Sequence, residues 1–212
     1  MLKHVMRRGA IKPYCGYSLT ELLVACSLAS IVISAVATQA ARSHIAYSSI
    51  QHATSVEDDI RALQSTITQH LSKAGFVYSP NTLSPFGATT IENTVFEITT
   101  GHRANEPENS CVTFSYDKNK DGVVSQAQGE FFGYRLHDNA IEYRVAGHSC
   151  IQSGWYDLTD TQTTVATKFT VNRRHSSSWG SAYEIEIELH SKVDPTVKSA
   201  RTFIVEAVNA YD

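Results

Sequence analysis

The N-terminal third of the sequence lacks the residues that interrupt helices. No glycine and no proline occurs from Tyr17 to Ala74, a span of 58 residues in a chain of 212. Because these two residues are the strongest helix breakers, their absence predicts one long helix over about residues 17–74. Gly75 follows directly and suits the left-handed conformation that commonly ends a helix.

Charged residues are also missing from the first part of this predicted helix. The twenty residues Leu22–Ala41 include no Asp, Glu, Lys or Arg. A helix of that length spans about 30 Å, which is the thickness of the hydrocarbon core of a bilayer. Residues 17–41 are therefore predicted to span a membrane or to lie in another apolar environment. Glu21 stands at the start of this segment, where an acidic residue is costly and so indicates a function.

The leader, residues 1–16, lacks acidic residues but has four basic ones. Its apolar run is too short for a secretory signal peptide, and the long apolar segment follows Gly16 instead of preceding a cleavage site. Positive charge before the apolar segment predicts a cytoplasmic leader and an exported C-terminal part. Without the leader the chain has 14 basic and 21 acidic residues, a net charge of −7. This balance disfavours nucleic-acid binding through bulk charge.

Motifs for catalysis are absent as well. The sequence has no His-Glu-x-x-His, no Cys-x-x-Cys, no Gly-x-Ser-x-Gly and no phosphate-binding loop. Since no nucleophile can be matched with a base, we expect the protein not to be an enzyme.

The rest of the sequence predicts an α+β domain. Residues 42–75 are predicted to continue the helix in amphipathic form and to pack on a head of residues 76–212. The apolar side chains that recur there at helical spacing are Val56, Ile60, Leu63, Ile67 and Leu71. Pro80, Pro85 and Gly87 predict a loop after the helix. Period-two patterns then predict a mostly antiparallel sheet. Its strands are expected at 95–98, 111–116, 131–137, 140–146, 163–173, 183–190 and 201–208, with a hairpin turn at Asp138–Asn139.

Two of the four cysteines lie in the part predicted to be exported. Cys111 and Cys150 would meet an oxidising compartment, so we expect them to form a disulfide. The alternative is a pair of buried free thiols. Cys26 lies inside the apolar segment, where it would act as a small apolar residue.

The residues around Gly16 resemble the processing signature of type IV prepilins and type II secretion pseudopilins. That signature is the run Gly16-Tyr-Ser-Leu-Thr-Glu21-Leu-Leu. The resemblance implies that a prepilin peptidase cuts between Gly16 and Tyr17 and that Tyr17 becomes the N-methylated first residue, where phenylalanine is usual. It also implies that Glu21 pairs with the free α-amino group of a neighbouring subunit during assembly. The alternative is that Glu21 only reaches towards the membrane surface.

The head narrows the resemblance. The run Ser110–Gly122, the run Phe131-Phe-Gly-Tyr-Arg-Leu and Cys150 are similar to a group of minor pilins called PilW or prepilin peptidase-dependent protein B, relatives of the J-type minor pseudopilin. This resemblance implies a ladle-shaped pilin-like fold, in which the second half of the helix packs on the sheet. It also implies an inner-membrane protein with a periplasmic head that later reaches the pilus or the cell surface. The implied partners are a prepilin peptidase, other minor pilins, the major pilin and the inner-membrane assembly platform.

Three functions stay open at this point. The first is a minor type IV pilin in a complex that initiates pilus assembly or occupies the pilus tip. The second is a J-type minor pseudopilin of a type II secretion system. The third is a tip adhesin or DNA-binding subunit that uses the loops of the head.

One segment of the head resembles the start of a calcium-binding loop. Oxygen ligands at alternate positions and a turn-forming glycine are typical of Ca²⁺ sites. Gln128 replaces the usual glutamate at the twelfth position, and Glu130 is two residues further on. A polar turn between strands is the alternative. The ligands expected for Ca²⁺ are Asp117, Asn119, Asp121, Val123, Ser125 and Glu130.

A small basic and aromatic cluster is predicted in a loop between two late strands. Arg173 and Arg174 could contact phosphates, and Trp179 could stack on a base. A solvated loop tip or a contact with another subunit would give the same pattern. Two arginines are a small footprint for DNA in an acidic domain.

Overall fold

The computed structural model describes residues 16–78, 98–177 and 180–210 and divides the chain into two compact units, residues 1–47 and 48–212. One helix, α1, extends over Leu19–Leu71. It is followed by β1 (Thr99–Gly101), β2 (Cys111–Ser115), a short 3-10 helix (Gln126–Gln128), β3 (Phe131–His137), β4 (Ala140–Tyr143), β5 (Tyr156–Asp157), β6 (Thr164–Ser177), β7 (Gly180–Ser191) and β8 (Lys198–Ala207). The predicted α+β class is confirmed.

The long helix confirms the prediction from the missing helix breakers, with slightly shorter limits. It starts two residues after Tyr17 and ends at Leu71, and residues 72–75 form a turn. Gly75 has the left-handed backbone expected of it, with φ of 80°, and its amide donates to the carbonyl of Ser115. A Cβ at Gly75 would lie 2.3 Å from the carbonyl oxygen of Asn209, so only glycine fits.

The second unit is built around the apolar stripe of α1. The residues expected to face the domain are all buried, and they share one core with side chains from both sheets. Burying a large aliphatic side chain contributes about 1.5–3 kcal/mol, so the stripe is a main source of stability for this unit. Its residues are Val56, Ile60, Leu63, Ile67 and Leu71.

The strands form two antiparallel sheets, whereas the sequence patterns suggested one. Strands β1 to β5 pair in chain order in a five-stranded sheet, and β6 to β8 form a separate three-stranded sheet. The prediction was correct for β3, too long for β4 and too short for β6 and β7. It missed β1 and β5. Of the first predicted strand, residues 95–97 lie outside the described residues and Ile98 is not in a strand.

The hairpin between β3 and β4 has the predicted turn. Asp138 and Asn139 both have positive φ, 47° and 63°, which a two-residue turn of this kind requires. Strand β7 also alternates as its sequence indicates, with its glutamates on the partly exposed face and its isoleucines in the core.

Candidate functional site

The predicted processing junction is accessible in the structure. Residues 16–18 are not helical, and Tyr17 is 88 % exposed. Among the residues that the structure describes, no atom lies within 4 Å of a Cβ placed at Gly16. Proteolytic cleavage is favoured at exposed, non-helical chain, and Gly16 and Tyr17 are both exposed and non-helical.

Ser18 and Glu21 together cap the start of α1. The first helical hydrogen bond runs from the amide of Leu22 to the carbonyl of Ser18, which makes Ser18 the N-cap residue. The Glu21 carboxylate accepts a hydrogen bond from the Ser18 amide at 3.2 Å. This is one half of a capping box, and the spacing Ser-x-x-Glu shows it in the sequence, where it was overlooked. Glu21 therefore has a local role in addition to the predicted contact with a neighbour.

The residues after Glu21 present an apolar surface. Large apolar side chains from Leu22 to Val36 are more than half exposed, and free Cys26 is exposed among them. Within the described residues, α1 is the one helix long and apolar enough to cross a membrane. Water disfavours so large an apolar surface, which indicates a lipid or protein environment for this segment.

Four hydroxyl groups in this segment are satisfied within the helix itself. Each donates to the carbonyl three residues earlier, at 2.8–2.9 Å. Because these hydroxyls are already hydrogen-bonded, placing them in an apolar environment costs little. The side chains are also small, which permits close approach of another helix. Their spacings of three and four residues place them along one side of the helix: Ser27, Ser30, Ser34 and Thr38.

The two cysteines predicted to pair are bonded in the structure. Cys111, at the start of β2, forms a disulfide with Cys150 across a separation of 39 residues. A cross-link that closes a loop of this length stabilises a fold by about 4 kcal/mol in the chain-entropy description. The bond fastens the segment after β4 to the five-stranded sheet.

A buried arginine, which sequence reasoning missed, holds the same segment. Arg135 in β3 is 2 % exposed, and its Nε donates to the carboxylate of Glu142 in β4 at 2.5 Å. Its Nη1 donates to the carbonyls of Cys150 and Gln152, each at 2.7 Å, and its guanidinium lies 4.6 Å from the centre of the Trp155 ring. Arg135 thus connects β3 with β4 and with the segment that follows β4.

The predicted calcium loop is organised by two buried carboxylates. Asp117 is 1 % exposed, and its oxygens accept from the amides of Tyr78, Lys120, Asp121 and Gly122. Glu130 is fully buried and accepts from the amides of Lys118, Asn119 and Ser125. Both carboxylates therefore stabilise the backbone of a polar turn, which was the alternative interpretation of this segment.

Calcium binding at this loop stays a prediction. The side chains of Asn119 and Asp121 hydrogen bond to each other at 2.9 Å on the exposed side, and Val123 and Ser125 follow in the same loop. In the ranges 16–78, 98–177 and 180–210, no group of three or more His, Cys, Asp or Glu side chains is placed to hold a metal ion. The carboxylate oxygens of Asp117 and Glu130 already accept hydrogen bonds from backbone amides. To bind Ca²⁺, the same oxygens would have to contact the ion as well.

The basic cluster lies on a strand and not in a loop. Strand β6 continues through Arg173 and Arg174 because a bulge at Arg174 keeps its pairing with β7. Arg174 forms an ion pair of 2.5 Å with Glu184 across the sheet, so its charge is already engaged. Trp179 lies outside the described residues. A nucleic-acid site formed by the three residues therefore stays a prediction.

Comparison with known proteins gives two matches of different extent. A family model described as prepilin peptidase-dependent protein B matches residues 49–207. The prepilin peptidase-dependent protein B of Escherichia coli (strain K12) is 22% identical over 197 residues, which cover 92% of this chain and 96% of that protein. No solved structure matches the chain. The family match covers the second part of α1 and the β-rich head, and it begins after the predicted processing junction.

Proposed function

The chain belongs to the prepilin peptidase-dependent protein B family, which is related to the type IV pilins, and from this we propose that it is a minor type IV pilin that helps to initiate pilus assembly. The observation that supports the proposal most is the exposed, non-helical junction at Gly16–Tyr17 directly before an exposed apolar helix. The role is structural, not catalytic.

Processing is the first step of the proposed function. A prepilin peptidase would cut after Gly16 and leave the apolar helix on the mature chain, with Tyr17 as its methylated first residue. Removal of residues 1–16 takes four positive charges away from the cytoplasmic end. Because such charges hold a membrane segment in place, their loss would make it easier for the helix to leave the bilayer.

Assembly would then move the helix from lipid into a bundle of similar helices. Both environments are apolar, so the transfer needs little change in hydration. The new α-amino group would be costly there without a partner, and the carboxylate of a neighbour's Glu21 would offset much of this cost. The pair would form only when two subunits are in the correct register.

The head would decide which subunits are neighbours. It lies beyond the membrane segment and is predicted to be periplasmic, where its disulfide is chemically favoured. We propose that it contacts other minor pilins in a priming complex, and that this complex recruits the major pilin on the inner-membrane assembly platform. The protein would then be found first in the inner membrane and later in the pilus.

Deletion of the gene distinguishes the three candidate functions. A minor pilin that primes assembly predicts that surface pili are lost and return when the wild-type gene is supplied. Counting pili by electron microscopy and assaying secreted enzymes in the same cells would measure both. Pili that persist while secreted enzymes accumulate in the periplasm would instead assign the protein to type II secretion. Normal pili that lose adhesion or DNA binding would assign it to ligand binding at the tip.

A further inference from the structure

A pocket of about 430 Å³ lies on the head beside the end of α1, and three lysines line it. Lys73 follows the last turn of the helix, and Lys118 and Lys120 come from the loop after β2. Tyr116 and Phe76 supply apolar surface in the same pocket. We call this site the lysine pocket and define it by these five residues.

The three lysines are exposed, and each lacks an ion pair within the described ranges. Four other basic side chains of this unit form ion pairs: Arg61 and Arg201 with Glu57, Lys168 with Glu186, and Arg174 with Glu184. Unpaired like charges repel, so their collection in one concave site is unfavourable until an anion enters.

The positive potential of the pocket also acts on a neighbouring histidine. The pKa of His70 is lowered, first by burial and then by the positive charges of Lys73 and Lys118. Asp117 also lines the pocket, but its carboxylate is turned towards backbone amides, including that of Lys120 at 2.6 Å. Among the acidic and lysine side chains that line the pocket, three are lysines and one is an aspartate, so positive charge is in excess there.

The loop that carries two of the lysines is held in a fixed and strained conformation. Lys120 has φ of 65°, a left-handed backbone that costs a non-glycine residue about 1 kcal/mol or more. The buried carboxylate of Asp117 holds this conformation, and Glu130 accepts from the amide of Lys118 at 2.8 Å. Two buried acids thus fix the backbone from which Lys118 and Lys120 extend, which lowers the ordering cost of binding at the backbone.

One wall of the pocket is aromatic. The ring of Tyr116 stacks on Phe132 with 4.3 Å between centroids, and the Nζ of Lys73 lies 5.9 Å from the Tyr116 ring. Such a wall can receive an aliphatic or aromatic side chain beside the charged contacts. The site therefore suits a ligand with both carboxylates and an apolar group.

We propose that the lysine pocket binds an acidic segment of a neighbouring pilin-family subunit, with its carboxylates on the lysines and an apolar side chain against Tyr116 and Phe76. This inference depends on the proposed function, which requires heads to contact one another. A protein segment fits better than nucleic acid, because the pocket is short and concave and the chain has a net charge of −3. Nucleic acid needs a longer basic track.

Site-specific cross-linking in living cells tests the proposal with the full-length protein. A photo-cross-linking amino acid replaces Gln69, which lines the pocket and is exposed, and a second strain has it at exposed Lys198 on β8 as the control. We expect position 69 to cross-link to an Asp- or Glu-containing segment of another pilin-family subunit, identified by mass spectrometry. The double variant K118E/K120E should reduce this product about tenfold, while K118R/K120R and K198E should retain it.

Several results would overturn the inference. These are a product at position 69 no stronger than at position 198, a product formed only with nucleic acid, or a yield unchanged in K118E/K120E. Thermal unfolding of each variant in detergent checks that it folds. If K118E/K120E is unstable, K118Q/K120Q takes its place. Pili of normal number in K118E/K120E, in a strain where gene deletion abolishes them, would reject the pocket and leave the proposed function standing.

Discussion

Replacement of Glu21 by alanine is expected to prevent the protein from entering filaments, while cleavage after Gly16 continues. In the proposed assembly the Glu21 carboxylate pairs with the α-amino group of a neighbour's Tyr17 in an apolar helix bundle. Loss of one partner of a buried ion pair costs about 3–5 kcal/mol, because the other charge remains unpaired. This corresponds to a loss of more than about a hundredfold in the equilibrium for incorporation. Quantitative immunoblotting of sheared pili measures it.

The local cap provides a matched control for this experiment. Glu21 also accepts from the amide of Ser18, and glutamine can replace glutamate at this third helical position of a capping box. The variant E21Q thus preserves the cap and removes the charge. We expect E21Q to fail in assembly as E21A does. If E21Q assembles normally and E21A does not, the cap and not the ion pair explains the effect, and normal assembly of both variants would remove Glu21 from assembly altogether.

Replacement of Arg135 by methionine is expected to lower the free energy of unfolding of the head by about 3–5 kcal/mol. The change leaves the buried carboxylate of Glu142 without its partner and the carbonyls of Cys150 and Gln152 without their donor. It also removes the contact with the Trp155 ring. Urea unfolding of the full chain in detergent, followed by tryptophan fluorescence, measures the loss.

Two controls separate burial from charge in this prediction. R174M removes an exposed pair with Glu184 and should cost no more than about 1 kcal/mol, because exposed ion pairs contribute little. The double variant R135M/E142L should recover much of the stability lost in R135M, since it leaves no unpaired buried charge. A cost for R135M as small as that for R174M would show that the buried pair does not organise the head.

The sequence predicted those elements whose patterns are local. The missing helix breakers indicated α1, the spacing of Val56 to Leu71 identified its buried side, and the alternation of Phe131–His137 gave the limits of β3. The turn at Asp138–Asn139 was also predictable, because few residues tolerate positive φ at two successive positions. In each case the local structure follows from properties of neighbouring residues in the sequence.

Features that depend on distant partners were not predictable in the same way. Strand β5 has two residues and exists because it pairs with β4, and β6 continues past Arg173 because of its bulge against β7. The separation into two sheets depends on which strands pair, and alternation along one strand does not reveal this. Arg135 was missed because an arginine within a strand usually lies on the solvated side.

The acidic loop shows how one motif supports two interpretations. Alternating Asp and Asn residues with a glycine predict either metal ligands or a tight polar turn. In the structure, Asp117 and Glu130 accept hydrogen bonds from backbone amides. Lys118 and Lys120, which lie between these acids and have no place in the calcium motif, line the pocket. The arrangement of those lysines depends on backbone geometry, in particular on the left-handed Lys120.

The mass of the mature N-terminal peptide tests the central claim most directly. The protein would be purified from membranes and from sheared pili of its own bacterium, digested with a protease and analysed by tandem mass spectrometry. The account predicts a chain that begins at Tyr17 and carries one methyl group on its α-amine, in both fractions. A mature chain that retains residues 1–16, or that begins after the apolar segment, would contradict the account.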